Sequence, residues 1–186
     1  MTYPPPVQRI TINGRAGAGK STLARRLAAL LDLPYTEIDS LQHGADWQRR
    51  PTFVDDVTAI IDDDRWVIEF QYDDTRPLIL ARADVLVWLD LPLLVTMWRV
   101  VRRTVGRRIR RTELWNGNRE GPLWRVLVDP EHIIRWAWSA RHEAALRIDR
   151  VRAERTELPV VRLRTTAEVE RWMSEVSRAG RPAPPR

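Results

Sequence analysis

The sequence predicts an α/β fold in three layers: a parallel sheet of about five strands with helices on both faces. Three observations carry this. Strand-like and helix-like segments alternate along the chain. The first apolar strand runs straight into a glycine-rich turn and then an amphipathic helix. The segment from Ala83 to Asp90 is continuously apolar, as in strands buried on both faces of a parallel sheet.

Taken in order, Met1–Pro6 reads as a floppy, proline-rich lead-in and Val7–Ile12 as the first strand. Gly14-Arg15-Ala16-Gly17-Ala18-Gly19-Lys20-Ser21 then matches G-x-x-x-x-G-K-S, the phosphate-binding loop or Walker A motif. Its glycines let backbone N–H groups turn inward around phosphate oxygens. Lys20 places a compact charge on the β- and γ-phosphates, and the Ser21 hydroxyl is a ligand for Mg²⁺. Gly14, Ala16, Gly17, Ala18, Gly19, Lys20, Ser21 and Thr22 are therefore the expected ATP contacts. Leu23, Leu27, Leu30 and Leu31 follow at helical spacing, so a helix N-terminus points at the phosphate. Lys20 is also the sole lysine in a chain otherwise basic through arginine. That bias keeps an ammonium where a planar guanidinium fits poorly.

Pro34 stops the first helix, and Tyr35–Ile38 reads as a second short strand ending at Asp39. A loop with Trp47 precedes a helix marked by Phe53, Val57, Ile60 and Ile61. Arg65–Glu69 is the third strand, Asp73–Thr75 a turn, and Ala83–Asp90 the fourth strand. Leu94, Met97, Trp98, Val101 and Val105 stripe the next helix, which leads into a segment rich in arginine. Asn116–Pro122 is turn-rich and expected to be mobile. Ile133, Ala137, Ala140, Ala144, Ile148 and Val151 mark one long helix. Leu158–Leu163 is the last strand, Val169, Trp172, Met173 and Val176 stripe the last helix, and residues 179–186 read as a disordered tail. The expectation is one domain over residues 1–178.

Composition narrows the chemistry. With no cysteine there is no disulfide and no thiolate metal site, and three scattered histidines do not make a structural zinc. No apolar run is long enough to span a bilayer and the N-terminus carries no apolar signal segment, which predicts a cytoplasmic protein. The net charge of +6 is local: seven arginines and no acid lie within 99–111, so the remainder carries −1. A single basic segment suits a local anion site at least as well as a polynucleotide track.

A Mg²⁺-ordering carboxylate belongs at the end of a strand beside the phosphate loop. Glu69 is the first choice, since it ends an apolar strand and precedes the polar Gln71 and Tyr72. Asp39 is placed to face an acceptor hydroxyl, with Trp47, Gln71 and Tyr72 as further acceptor contacts. Asp90 reads as an acid that helps start the following helix. The arginine segment reads as a lid, with Arg103 and Arg107 reaching the transferred phosphoryl group. Its like charges predict an open lid until nucleotide binds. Trp66, Trp88, Trp98, Trp136 and Trp172 are expected in the core.

The stretch from Gly14 to Leu41 resembles the start of the small P-loop kinases related to adenylate kinase. It is similar in particular to the bacterial topology modulation protein-like kinases. The likeness continues through Asp46-Trp47, Asp64–Ile68, Val87–Pro92, the arginine run and Val160–Leu163. It implies a P-loop NTPase core, an acceptor region around 39–64, a lid around 102–125, and an adenine contact from the loop holding Thr165. One departure stands out. Where such proteins carry Asp-Gly-Asn-Tyr after the third strand, this chain has Glu69-Phe70-Gln71-Tyr72.

The leading function is therefore phosphoryl transfer from ATP, with Mg²⁺, to a small acceptor such as a nucleotide. Lys20, Arg103, Arg107 and Asp39 carry the catalysis in this reading. The alternative is a nucleotide-binding regulatory protein whose arginines dock on nucleic acid or an acidic partner. A pure hydrolase is less favoured, because no glutamate follows an aspartate at a strand end.

Overall fold

A computed structural model of the chain describes residues 7–118, 121, 122, 124, 126, 128, 129 and 132–179. The lead-in expected over Met1–Pro6, part of the lid loop, and the tail beyond 179 lie outside the described residues. Four strands pair in parallel in the order β2-β1-β3-β4: β1 (Arg9–Gly14), β2 (Trp66–Glu69), β3 (Val85–Leu89) and β4 (Val160–Leu163). The helices are α1 (Lys20–Leu31), α2 (Ile38–Gln42), α3 (Phe53–Asp62), α4 (Arg76–Arg82), α5 (Leu93–Ile109), α6 (Ile133–Ser139), α7 (Glu143–Glu154) and α8 (Thr166–Ala179).

The two-residue period of the strands sorts the core into two layers. Val85, Val87 and Leu89 of β3, with Ile10 and Ile12 of β1, pack on Leu23 and Leu27 of α1 and Trp172 and Met173 of α8. Leu86 and Trp88 point the other way, onto Phe53, Val57, Ile79 and Ile148 of α3, α4 and α7. This is the three-layer architecture that the alternation of segments predicts. Every β3 residue is buried, which is why that strand reads as a continuous apolar run.

Several expectations are corrected. The strand expected at Tyr35–Ile38 shrinks to one bridge, Tyr35 to Val67, so the described residues form four strands where about five were expected. The Ile38 N–H donates to the Glu69 carboxylate instead of to a sheet neighbour, and the chain turns into α2. Asp39 thus lies in a first helical turn, not at a strand end. Asp90 does not cap α5, whose N-cap is Pro92. It instead accepts from the Arg162 guanidinium at 2.6 Å and from Arg15 at 3.4 Å, tying the end of β3 to β4 and to the phosphate loop. The long helix expected from Ile133 is split into α6 and α7 by a 3-10 turn at Ala140–His142. Ala179, expected in the tail, ends α8.

The arginine segment is not a connection between helices, since Arg99 to Arg108 ride on α5 itself. The buried face of α5 is Thr96, Val100 and Thr104. Its predicted apolar stripe faces largely outward, with Leu94 82% and Trp98 59% exposed. Trp98 and Trp136 are therefore not core residues, whereas Trp66, Trp88 and Trp172 are.

Candidate active site

The phosphate loop sits between β1 and α1, held from below by the sheet and from the side by α5. A Cβ at Gly14 would lie 3.1 Å from Leu89 O, so a side chain there would press β1 and β3 apart by a few tenths of an ångström. Gly17 has φ +76, and a Cβ on it would run into Thr96 O and lie 2.9 Å from Val100 Cγ2. The loop is pressed onto the small-residue face of α5. Asn13, fully buried just ahead of the loop, donates to Ala144 O at 2.9 Å and so links the loop to α7.

Lys20 opens α1 behind Gly19. Burial lowers the pKa of its ammonium, opposed by the charges of Asp39 and Glu69 and aided by those of Arg147 and Arg103. The lysine is thus set among two carboxylates and two guanidinium groups. Glu69 is buried; its carboxylate accepts from Tyr35 Oη at 2.7 Å and from the Ile38 N–H at 3.2 Å. Burial raises its pKa above the usual carboxylate value, against those two hydrogen bonds and a contact with the Ser21 hydroxyl. Glu69 and Ser21 are therefore neighbours. Among the described residues no cluster of three or more metal-ligating side chains exists. A divalent ion at this point would need oxygens from a bound phosphate in addition to the Ser21 hydroxyl and a carboxylate.

Asp39 is fixed by the loop after β2. Its Oδ1 accepts from Gln71 Nε2 at 2.9 Å and from Tyr72 Oη at 2.7 Å. Burial first, then the Asp39 charge, raises the Tyr72 pKa, so the phenol stays a donor. Tyr72 Oη also lies 3.3 Å from His43 Nε2. The Phe70 that replaces glycine in the resembled motif is buried in the core and takes no part in the site.

Arg99, Arg103 and Arg107 line the same cleft, at i, i+4 and i+8 along α5. Trp47 lines it from a turn where Asp46 and Trp47 take φ of 53° and 59°. Trp115 faces it from a second turn, Trp115–Gly117, within the lid segment, with its ring 6.3 Å from that of Trp47. This turn opens the loop expected to be mobile over Asn116–Pro122, of which residues 119 and 120 lie outside the described residues. In its described part the Trp47 N–H donates to Asn118 Oδ1 at 2.9 Å, and Asn118 Nδ2 donates to Gly44 O at 2.7 Å. These bonds tie the described part of the lid at Trp115–Asn118 to the turn that carries Trp47. Thr165 uses its hydroxyl to accept from the Glu168 N–H at the start of α8, and the neighbouring Thr166 and Val169 form the cleft wall.

Sequence reasoning missed Arg76, Arg147, His43 and Trp115, all of which line the cleft. The four-residue spacing of Arg99, Arg103 and Arg107 was a usable signal for that face of α5. Nothing local marks Arg76 and Arg147, which come from α4 and α7. Their side chains are 13% and 18% exposed, while their carboxylate partners Asp73 and Glu143 are 90% and 54% exposed. Burial, then the charge of Arg76, lowers the Arg147 pKa. The cleft encloses about 1370 Å³. That exceeds the roughly 300–1,000 Å³ of a typical single-ligand pocket.

No family model matches the chain. Among curated proteins, the shikimate kinase of Bradyrhizobium diazoefficiens is 28% identical over 142 residues. That match spans 67% of this chain and 66% of the length of the relative. Among solved structures, shikimate kinase from Acinetobacter baumannii in complex with shikimate superposes with a TM-score of 0.52 at 15% identity, covering 91% of this chain and 90% of that one. Shikimate kinase from Bacteroides thetaiotaomicron gives 0.51 at 14% identity, covering 93% and 98%. The structural likenesses show the fold, a P-loop NTPase of the shikimate kinase type. Among the described residues no helix is long and apolar enough to cross a membrane.

Proposed function

We propose that the chain is an ATP-dependent phosphotransferase acting on a small acceptor that carries both a hydroxyl and an anionic group. The observation that carries this is the convergence on one cleft of Lys20 in its phosphate loop, the Asp39 carboxylate, and Arg99, Arg103 and Arg107 of α5. The sequence likeness to a shikimate kinase supports the same class of reaction. The finer resemblance to topology modulation protein-like kinases, carried by Asp46-Trp47 and the arginine run, is consistent with it.

In this reading the loop amides and Lys20 hold the β- and γ-phosphates, with Thr166 and Val169 beside the nucleotide and Thr165 acting through the start of α8. Ser21, with Glu69 behind it, would hold Mg²⁺, which would supply neutralisation of phosphate charge. Asp39, its Oδ1 occupied by Gln71 and Tyr72, presents Oδ2 to the acceptor hydroxyl and takes its proton as the oxygen attacks the γ-phosphorus. The new O–P bond forms, the bond to the bridging oxygen breaks, and ADP leaves. Arg103 and Arg107 stabilise charge on the equatorial oxygens.

The anionic group is argued from Arg76 and Arg147. Two crowded guanidinium groups, whose partner carboxylates point largely to solvent, gain from an anion between them inside the cleft. Trp47 and Trp115 supply flat walls for a ring. Hydroxy acids with a ring, shikimate among them, therefore head the acceptor screen, ahead of nucleoside monophosphates and nucleosides. The test is acceptor-stimulated ADP formation. Stimulation well above the basal rate by an anionic hydroxy compound is expected; a flat response across all three classes overturns the reading.

The arginine run gives less support to a nucleic-acid surface. Arg99, Arg103 and Arg107 share the cleft with Lys20, so part of the charge is committed there.

A further inference from the structure

We propose that Asn118, aided by Asn116, is a positioning residue that clasps Trp115–Asn118 of the lid onto the acceptor turn and so holds Arg107 in place relative to Asp39. The assignment rests on the kinase reading only for what the clasp is for.

Two turns of similar build meet at this point. Ala45–Trp47 and Trp115–Gly117 are both single 3-10 turns, each with a left-handed residue inside, Asp46 at φ 53 and Asn116 at φ 55. Trp47 follows at φ 59. A bulky residue in that conformation is strained and persists only where its surroundings over-determine it. The surroundings here are Asn118. Its Oδ1 takes the Trp47 N–H at 2.9 Å, and its Nδ2 gives to Gly44 O at 2.7 Å and to Trp115 O at 2.9 Å. Asn118 is 5% exposed, so these bonds are made away from water. Asn116 Nδ2 adds a bond to His43 O and a longer one to Ser40 O.

The clasp connects the two halves of the chemistry. Asp39 bonds Tyr72, and Tyr72 Oη sits 3.3 Å from His43 Nε2. The His43 ring centroid is 6.1 Å from that of Trp115 on the lid. The Arg107 guanidinium lies 6.0 Å over Trp115. Docking the turn at Asn118 therefore fixes where Arg107 stands relative to the Asp39 carboxylate. Neutral, buried hydrogen bonds do this, without using the charges of the arginines.

The absence of native cysteine allows a direct test. Spin labels on Gln48→Cys and Thr112→Cys, both exposed and outside the machinery described above, report the distance between turn and lid. Without ligand, the parent is expected to give one narrow, short-distance population. Asn118→Ala and the isosteric Asn118→Asp should both shift the clasped-to-open ratio by about tenfold or more, since each removes buried hydrogen bonds. Mg²⁺ with the non-hydrolysable analogue AMP-PNP should draw both variants back toward the short distance by supplying counter-charge. A role in packing alone would leave Asn118→Asp like the parent, and a weakened fold would not be restored by the nucleotide analogue. A broad distribution in the unliganded parent, or variants as narrow as the parent, overturns the clasp. Failure of acceptor-stimulated ADP formation in the parent overturns the kinase reading and leaves the distance result intact.

Discussion

Replacing three glycines by alanine should give three different outcomes, each set by backbone angle and free space. At Gly17 both are against alanine. Its φ is +76, and the new Cβ would meet Thr96 O and lie 2.9 Å from Val100 Cγ2. A left-handed alanine costs about 1–2 kcal/mol, and forced overpacking adds about 1–3 kcal/mol. The loop and α5 must separate, so Gly17→Ala is expected to lose about 2–5 kcal/mol. At Gly19 φ is +96, but the nearest atom is the flexible Arg99 Nη1 at 3.9 Å, so only the backbone cost of about 1–2 kcal/mol applies. Gly106 lies inside α5 with nothing within 4 Å of a new Cβ. Alanine there should stabilise by up to about 1 kcal/mol. For a chain of this size each kcal/mol moves the melting midpoint by about 2–4 °C. Thermal unfolding of the three variants, with and without Mg·ATP, reads the series. Gly17→Ala should fall furthest and lose its nucleotide-induced shift, and Gly106→Ala should rise. A Gly17→Ala midpoint at or above that of Gly19→Ala would refute the packing of the phosphate loop on α5.

Lys20→Ala should abolish turnover and weaken ATP binding, and Lys20→Arg should also be inactive because a planar fork fits the phosphate nest poorly; parent-rate ADP formation by Lys20→Ala would remove the site assignment. Asp39→Asn should cut acceptor-dependent kcat by orders of magnitude and leave the Mg²⁺ requirement unchanged. Glu69→Gln should raise the Mg²⁺ concentration needed, and a magnesium titration giving the reverse pattern would exchange the two roles. Asp84 accepts from the Arg9 guanidinium and from the Gln8 and Arg9 amides. Burial opposes its ionisation, but those hydrogen bonds outweigh it and hold its pKa below the ordinary 3.8. Its contribution is therefore complete above that value and lost as pH falls through the depressed one. Asp84→Asn should be about 1–3 kcal/mol less stable at pH 7. In denaturant titrations across pH that deficit should close in strong acid, and a deficit independent of pH would show that the charge does not matter.

The sequence by itself determined the features whose causes are local. The phosphate loop, the start of α1 and the buried strand β3 were all legible, because glycine placement, helical period and an unbroken apolar run act within a few residues. Lys20, Ser21, Asp39, Glu69, Arg103 and Arg107 could be singled out that way, and the structure brings them to one cleft or its immediate border. Tertiary structure alone decided the rest. Arg76 and Arg147 come from different helices and meet only because α4 and α7 pack on one face of the sheet. Tyr35–Ile38 has the makings of a strand, but Glu69 takes the Ile38 N–H and starts a helix instead. The clearest case is α5, which has two faces capable of burial. Leu94, Trp98 and Val101 form the more apolar one, yet Thr96, Val100 and Thr104 go inward. The phosphate loop must approach so closely that a Cβ on Gly17 would touch Thr96 O, and larger side chains on α5 would hold it away. Periodicity counts apolar residues; the fold selects the face whose small side chains let two backbones meet.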